Sequence, residues 1–357
     1  MESTNALKSA IRRRIKIGVM ALIGIGIFSS LLYLWYQWQF EKKRADFYAT
    51  IDLSDITNEN LPAATRLQTV YWAAAAAEKN KFGLIADALQ QFEAFENKML
   101  SEQQAFTARD TIAGMVFIPE GPFLFGGFGQ YVGEPLDTTL AAFYIDKYPV
   151  TNREFCQFLN DAGNRMEDGA YWYQRKFGHI DSTSDGFKVE AGFERHPVVS
   201  VSWYGARAYA RWVGKRLATE HEWEKAARGM LGRLFPWGSV FDWEKANTAS
   251  YWAKRNISAA ARDHWYEDGG ARISDTTPVD QFPEGVSPYG CYDMCGNVWE
   301  WTSTRAVRLI RKEPRYINRG GAFSYGVEQV RTAFRGRGHP GATGSITGFR
   351  CARNLTD

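Results

Sequence analysis

Histidine and cysteine are scarce in this sequence, five and four among 357 residues, and that limits the chemistry open to it. His179, His196, His221, His264 and His339 are scattered, and no H-x-x-x-H arrangement places two imidazoles on one helix face for zinc. His221, inside "TEHEWE", reads as a surface or packing residue of a helix. Cys291 and Cys295 stand as C-x3-C with no second pair, which is not the spacing of a zinc ribbon. A phosphate-cradling loop is missing as well, since "VGKR" around Lys215 lacks both the upstream glycine and the hydroxyl. No G-x-S-x-G elbow occurs, because Ser324 lies in "AFSYG" with Ala322 two positions before it. An excess of one charge is also lacking. The net charge is +3, and residues 1–16 alone carry Lys8, Arg12, Arg13, Arg14 and Lys16 against Glu2. The remainder is close to neutral, unlike a protein that neutralises a polyanion.

The chain does have one long apolar run. Residues 17–40 contain no charge; as a helix they would extend about 36 Å, enough to cross a hydrocarbon core of ~30 Å. Trp35, Tyr36 and Trp38 sit at one end, where amphipathic rings favour the interface. The run is longer than a cleaved signal peptide's apolar core and has no small-residue cleavage site. The basic residues before it outnumber Lys42, Lys43 and Arg44 just after it. The expectation is a signal anchor with residues 1–16 in the cytoplasm and the main domain outside it, as in a single-pass protein of a bacterial inner membrane facing the periplasm.

Residues 41–111 predict two helices. Asn60 and Pro62 suit the start of the first, and Leu84, Ile85, Ala88, Leu89, Phe92, Phe95 and Met99 share one face of the second. So short a segment has too little surface for a core of its own, so it is expected to pack elsewhere. From residue 112 the composition changes: most of the 33 Gly and 13 Trp follow. "WYGARAYARWVGKRLATEHEWEKAARG" reads as two helices. Ala206, Tyr209, Ala210 and Val213 form the face of the first, and Thr219 caps the second in a box with Glu222. "MVFIPEGPFLFGG" and "HPVVSVSW" read as short strands between loops rich in Gly, Pro and aromatics.

Several words then recur in order: "MVFIPEGPFLFGG", "VTNREFCQFLN", "GKRLATEHEWEKAARG", "LFPWG", "YDMCGNVWEW", "RGGAF" and "GFRC". Across residues 112–353 the chain resembles the formylglycine-generating enzyme, or sulfatase-modifying factor, domain. The resemblance implies an α+β fold of C-type-lectin-like type with little regular secondary structure, spanning 112–357.

It also implies two structural calcium sites. One would take carboxylate oxygens from Asp293 and Glu300 and the carbonyls of Gly296 and Val298. The other would take Asn247, the carbonyl of Thr248, Asp268 and the carbonyl of Gly270. Active relatives oxidise a peptide cysteine to formylglycine with O2 and copper(I) held by two thiolates, four and nine residues after the Gly-Gly pair. Here those places hold Tyr325 and Val330, and Ala322 replaces a small hydroxyl residue. No copper is therefore expected, nor iron, because the branch that uses iron draws histidines from an added helical domain and residues 41–111 contain none. Cys351 matches a disulfide position whose usual partner is Ala210 here; the resembled fold brings its N- and C-terminal parts together, which makes Cys156 the expected partner instead, and Cys291 and Cys295 are a local disulfide or two buried thiols.

Eleven basic residues lie between Arg305 and Arg353 against Glu313 and Glu328. Those in family words are expected to pair with acids and carbonyls. Two functions remain open. In one, a non-catalytic, membrane-anchored scaffold binds a peptide or protein partner in a groove floored by Tyr325, Val330, Trp299 and Ala322. In the other, an oxidoreductase of this family works without copper thiolates.

Overall fold

The computed structural model describes residues 112–127, 136–230, 232–238, 240–306 and 314–355. The expected span 17–40 and the helical segment 41–111 lie outside the described residues, as do Arg308, Arg311 and Lys312. Among the described residues no helix is long and apolar enough to cross a membrane.

In chain order the first elements are β1 (Met115–Ile118), β2 (Gly121–Phe125), β3 (Leu136–Leu140), β4 (Phe143–Asp146) and α1 (Asn152–Ala162). Hairpins β5 (Met166–Glu167) to β6 (Ala170–Tyr171) and β7 (Ile180–Thr183) to β8 (Gly186–Val189) follow. Then come α2 (Trp203–Trp212), β9 (Arg216–Leu217), α3 (Glu220–Arg228), α4 (Ala249–Ala253) and α5 (Ala259–Trp265). The chain continues through β10 (Trp299–Arg305), β11 (Tyr316–Arg319), β12 (Arg335–Gly338), β13 (Thr347–Phe349) and β14 (Cys351–Asn354).

The helices start where side chains can satisfy the free amides of a first turn. Thr151 with Glu154 and Thr219 with Glu222 make reciprocal capping boxes on α1 and α3, and Ser202 caps α2. α2 buries Ala206, Tyr209 and Ala210, as its spacing predicts, and ends before Val213. "HPVVSVSW" departs from expectation. Val198, Val199 and Val201 are buried, yet the run joins no ladder and makes only isolated bridges, Pro197 to Thr151 and Val201 to Tyr173. Ser200 has φ +60°, which turns the run away from extended geometry. Its amide donates instead to Gly344 O at 2.9 Å.

Two four-stranded sheets hold the domain, in the orders β1-β4-β14-β9 and β12-β11-β10-β13. In the first, β14 lies beside β4, with Ala352 opposite Ile145, so both ends of the domain are tied into one sheet. In the second, β10 and β13 run parallel, with Trp299 opposite Thr347. α1 and α2 enclose one apolar cluster that includes Phe155, Phe158, Val198, Tyr209 and Phe349. Trp223 and Ala226 of α3 pack with Ile118, Phe143, Cys291 and Met294 in another. Burying one such large side chain contributes about 2 kcal/mol. The repeat "RGRG" of β12 has a simple cause: a Cβ on Gly338 would come within 2.3 Å of the Trp301 ring. Arg335, which opens the repeat, pairs with Glu220 at 2.7 Å.

Candidate functional site

β11 ends on Arg319, and Gly320 and Gly321 follow with φ of +95° and +74°. A Cβ on Gly321 would lie 2.7 Å from Val330 Cγ1 and 2.8 Å from the Gln329 carbonyl. The glycine thus lets the chain fold back on its own short 3-10 turn, Val327–Val330.

That fold-back decides the fate of the two positions where active relatives carry thiolates. Val330 and Ala322 are wholly buried, and Trp299 is 5% exposed. Tyr325 is half-buried; its ring meets Trp299 edge-on at 5.4 Å, and the Arg262 guanidinium lies 4.8 Å from its centroid. The expected groove floor is therefore corrected. Val330, Ala322 and Trp299 belong to the interior, because apolar side chains gain by leaving water, and Tyr325 alone of the four keeps substantial access to solvent. An isopropyl group and a phenol do not supply the soft thiolate pair that copper(I) selects, so the residues present do not fit that ion.

The first calcium set is brought together in part. Asp293 and Glu300 are both buried, and burial, with Glu300 close by, raises the Asp293 carboxyl to about 7. Asp293 Oδ2 accepts from Asn297 Nδ2 at 2.9 Å. Glu300 is already engaged by Arg350 and by the Trp223 indole. Glu300 Oε2 already accepts from both Arg350 Nε and Trp223 Nε1, so only Glu300 Oε1 and the Asp293 carboxylate keep acceptor sites of the kind a hard cation takes.

The second set does not converge. Asp268 is 65% exposed and pairs with His264 at 3.1 Å. Asn247 is wholly buried; its Oδ1 accepts from Trp252 Nε1 at 2.7 Å, and its Nδ2 donates to Asp275 O and Asn297 Oδ1. The carbonyl of Gly270 accepts from Ser274, and that of Thr248 accepts from the Trp252 amide. These groups are spent on α4 and its neighbouring turns. Among the described residues no three His, Cys, Asp or Glu side chains form a metal-binding group.

The expected disulfide is also corrected: Cys156, Cys291, Cys295 and Cys351 are four free, buried thiols. Cys156 Sγ donates to Phe187 O at 3.2 Å, while Cys351 sits on β14 with its amide bonded to Asp146. Burial pushes all four thiols above their ordinary range, which keeps them protonated and unreactive. The arginines behave as expected. Arg319 reaches Glu224 at 2.7 Å and Glu220 at 3.2 Å, and Arg350 pairs with Glu300 while donating to Tyr292 O.

Two residues of this region have roles that sequence reasoning missed. Asn297 ties the two candidate calcium loops together, receiving Asn247 Nδ2 and donating to Asp293 and Thr277. Arg262 crosses to the Tyr325 loop from a helix 62 residues earlier, where its Nε donates to Ser324 O at 2.8 Å. Arg262 sits within an ordinary polar stretch, and Asn297 lies inside the word "YDMCGNVWEW", whose reading gave it no role; only the long-range partner distinguishes each.

Comparison with known proteins agrees with this architecture. The family model described as sulfatase-modifying factor enzyme 1-like domain matches residues 101–355. Serine/threonine-protein kinase Pkn1 of Chlamydia trachomatis is 35% identical over 272 residues, which cover 71% of this chain and 40% of the kinase. The chain thus spans well under half the length of these first relatives. The formylglycine-generating enzyme of Thermomonospora curvata is 32% identical, covering 67% of this chain and 93% of that protein. The inactive C-alpha-formylglycine-generating enzyme 2 of Bos taurus is also 32% identical, over 67% and 87%. Among solved structures, PvdO from Pseudomonas aeruginosa superposes with a TM-score of 0.50 at 26% identity, over 68% of this chain and 94% of that one. The chain belongs to the sulfatase-modifying factor enzyme 1-like family, and its described residues form a mixed fold of helices and sheets of that type.

Proposed function

We propose that this protein is a non-catalytic binding scaffold, anchored in a bacterial inner membrane by residues 17–40, with residues 112–357 on the periplasmic side. It would bind a peptide or protein partner within a membrane or secretion-related complex. One observation carries this reading: the positions of the copper thiolates hold Tyr325 and Val330, and Val330 is wholly buried. Relatives support it from two sides. One is named as inactive, and the kinases carry a matching stretch within a much longer chain, as a recognition module would be carried. Calcium at Asp293 and Glu300, with the carbonyls of Gly296 and Val298, would be structural, joining loops that Asn297 already bridges.

The experiment is purification of the whole chain from its native membrane after chemical crosslinking, with metal analysis and O2 uptake measured on peptide thiols. A stable crosslinked neighbour is expected, with no copper, no iron and no uptake. Stoichiometric redox metal or thiol-dependent O2 uptake would instead establish an oxidoreductase with altered chemistry, and absence of any reproducible neighbour would remove the scaffold reading.

A further inference from the structure

We infer that residues 258–269 are a strap across the Tyr325 surface, in which Arg262 stands in for a cationic side chain of the partner. This rests on the reading that the Tyr325 surface is where a partner binds.

The strap is fixed at both ends and loosely held between them. Ile257 before it is 1% exposed, and Gly270 after it is buried. No residue from 258 to 269 is buried, and α5 in particular contributes none. Apart from the partly exposed Trp265 ring, which packs on Gly270, α5 puts no apolar side chain into the core and is held by polar contacts, which places it at the low end of local stability. Backbone that a swing would use is present at the C-terminal end, where Gly269 has φ +120°.

The contacts that close the strap fall on the candidate surface. The Ala259 amide at the start of α5 donates to Glu328 Oε2 at 2.6 Å. Arg262 Nε donates to the Ser324 carbonyl at 2.8 Å, and its guanidinium lies 4.8 Å from the Tyr325 ring and 5.0 Å from the Tyr266 ring. Asp263 pairs with the same guanidinium from within the strap. Lifting the strap uncovers three things together: an aromatic face, an unpaired carbonyl and the Glu328 carboxylate. An electron-rich ring, a carbonyl acceptor and an anion form a site for a guanidinium on an extended basic segment. Arg262 already makes the ring and carbonyl contacts from inside the molecule and the Ala259 amide holds the anion, so a partner arginine would compete with the strap for the same acceptors.

Two measurements on the full chain in detergent test this. In hydrogen exchange followed by mass spectrometry, amides of α5 should exchange at least about tenfold faster than those of α3. Arg262→Ala and, separately, Glu328→Gln should each raise the α5 rate about fivefold while α1 to α3 keep theirs. In a binding assay, Arg262→Ala should take up a short capped peptide with one central arginine about fivefold more tightly than the native chain does. The citrulline version should bind neither. The strap is a fixed part of the fold if α5 exchanges as slowly as α3 in the native chain and in both variants. Equal uptake of the arginine and citrulline peptides would overturn the stand-in role of Arg262. Neither readout depends on the native partner, so failure of the scaffold reading in crosslinking would leave a positive exchange result standing.

Discussion

Arg350 forks onto Glu300, with Nε 2.7 Å from Oε2 and Nη2 2.7 Å from Oε1, and both side chains are closed to water. Glu300 Oε2 also accepts the Trp223 indole N–H at 2.7 Å, which ties α3 to β10. Removing one partner strands the other charge where water cannot reach it. Arg350→Ala should therefore lower stability by about 3–5 kcal/mol in urea unfolding. Arg350→Lys, which keeps the charge and loses the planar fork, should recover less than half of that. A loss under about 1 kcal/mol for the alanine variant would show that the pair is not sealed from solvent.

Calcium is expected to act through the first loop and not through the second. Added Ca2+ should raise the Tm of the native chain, and Asp293→Asn should abolish the response. Asp268→Asn should retain it, since that carboxylate is exposed and paired with His264. The reverse pattern, with Asp268 required and Asp293 dispensable, would place the ion elsewhere.

Gly321→Ala should destabilise by about 2 kcal/mol or more, because its φ is +74° and the new methyl meets both Val330 Cγ1 and the Gln329 carbonyl. Val330→Ala in the same chain should not rescue it, since the Gln329 contact is backbone. Full rescue would mean that only the side-chain clash matters.

Lys225 is wholly buried and holds its ammonium on the carbonyls of Pro119 and Gly121 at 2.7 and 3.0 Å. Burial lowers its pKa to about 8 from 10.5. Below pH 8 the charge is present in both folded and unfolded chains, and the folded chain bears the cost of burying it. From about pH 8 to 10.5 the folded chain releases its proton first, so the contribution of Lys225 to stability rises with pH. The stability of the native chain relative to Lys225→Met should move in favour of the native chain over that window, by about 3 kcal/mol at most. A difference flat with pH would show that the two carbonyls offset the burial.

The local devices of this fold are legible in the sequence. Thr219 with Glu222 reads as a capping box because the chemistry operates over three residues, and the α2 face reads from helical spacing for the same reason. The candidate site was half legible. Position counting from Gly321 places Tyr325 and Val330 where the thiolates of active relatives stand, and the structure puts both on the loop that follows β11. Counting could not tell that Val330 points inward while Tyr325 stays at the surface, because that depends on how the 3-10 turn packs under Gly321. The disulfide expectation failed for a related reason. Cys156 and Cys351 share one apolar cluster, but a bond needs aligned thiols, and Cys156 Sγ faces the Phe187 carbonyl instead.

By itself the sequence determined the family, the helix caps and the loss of a copper-binding thiol pair, since each is written in residue identity at short or fixed spacing. Only the tertiary structure decided that the expected groove is largely interior, that Asn297 bridges the two candidate metal loops, and that Arg262 covers Tyr325. Two of those outcomes rest on partners 50 or more positions apart, Asn247 with Asn297 and Arg262 with Tyr325. Their partners are chosen by packing and by the need to satisfy buried polar groups, which no local pattern records.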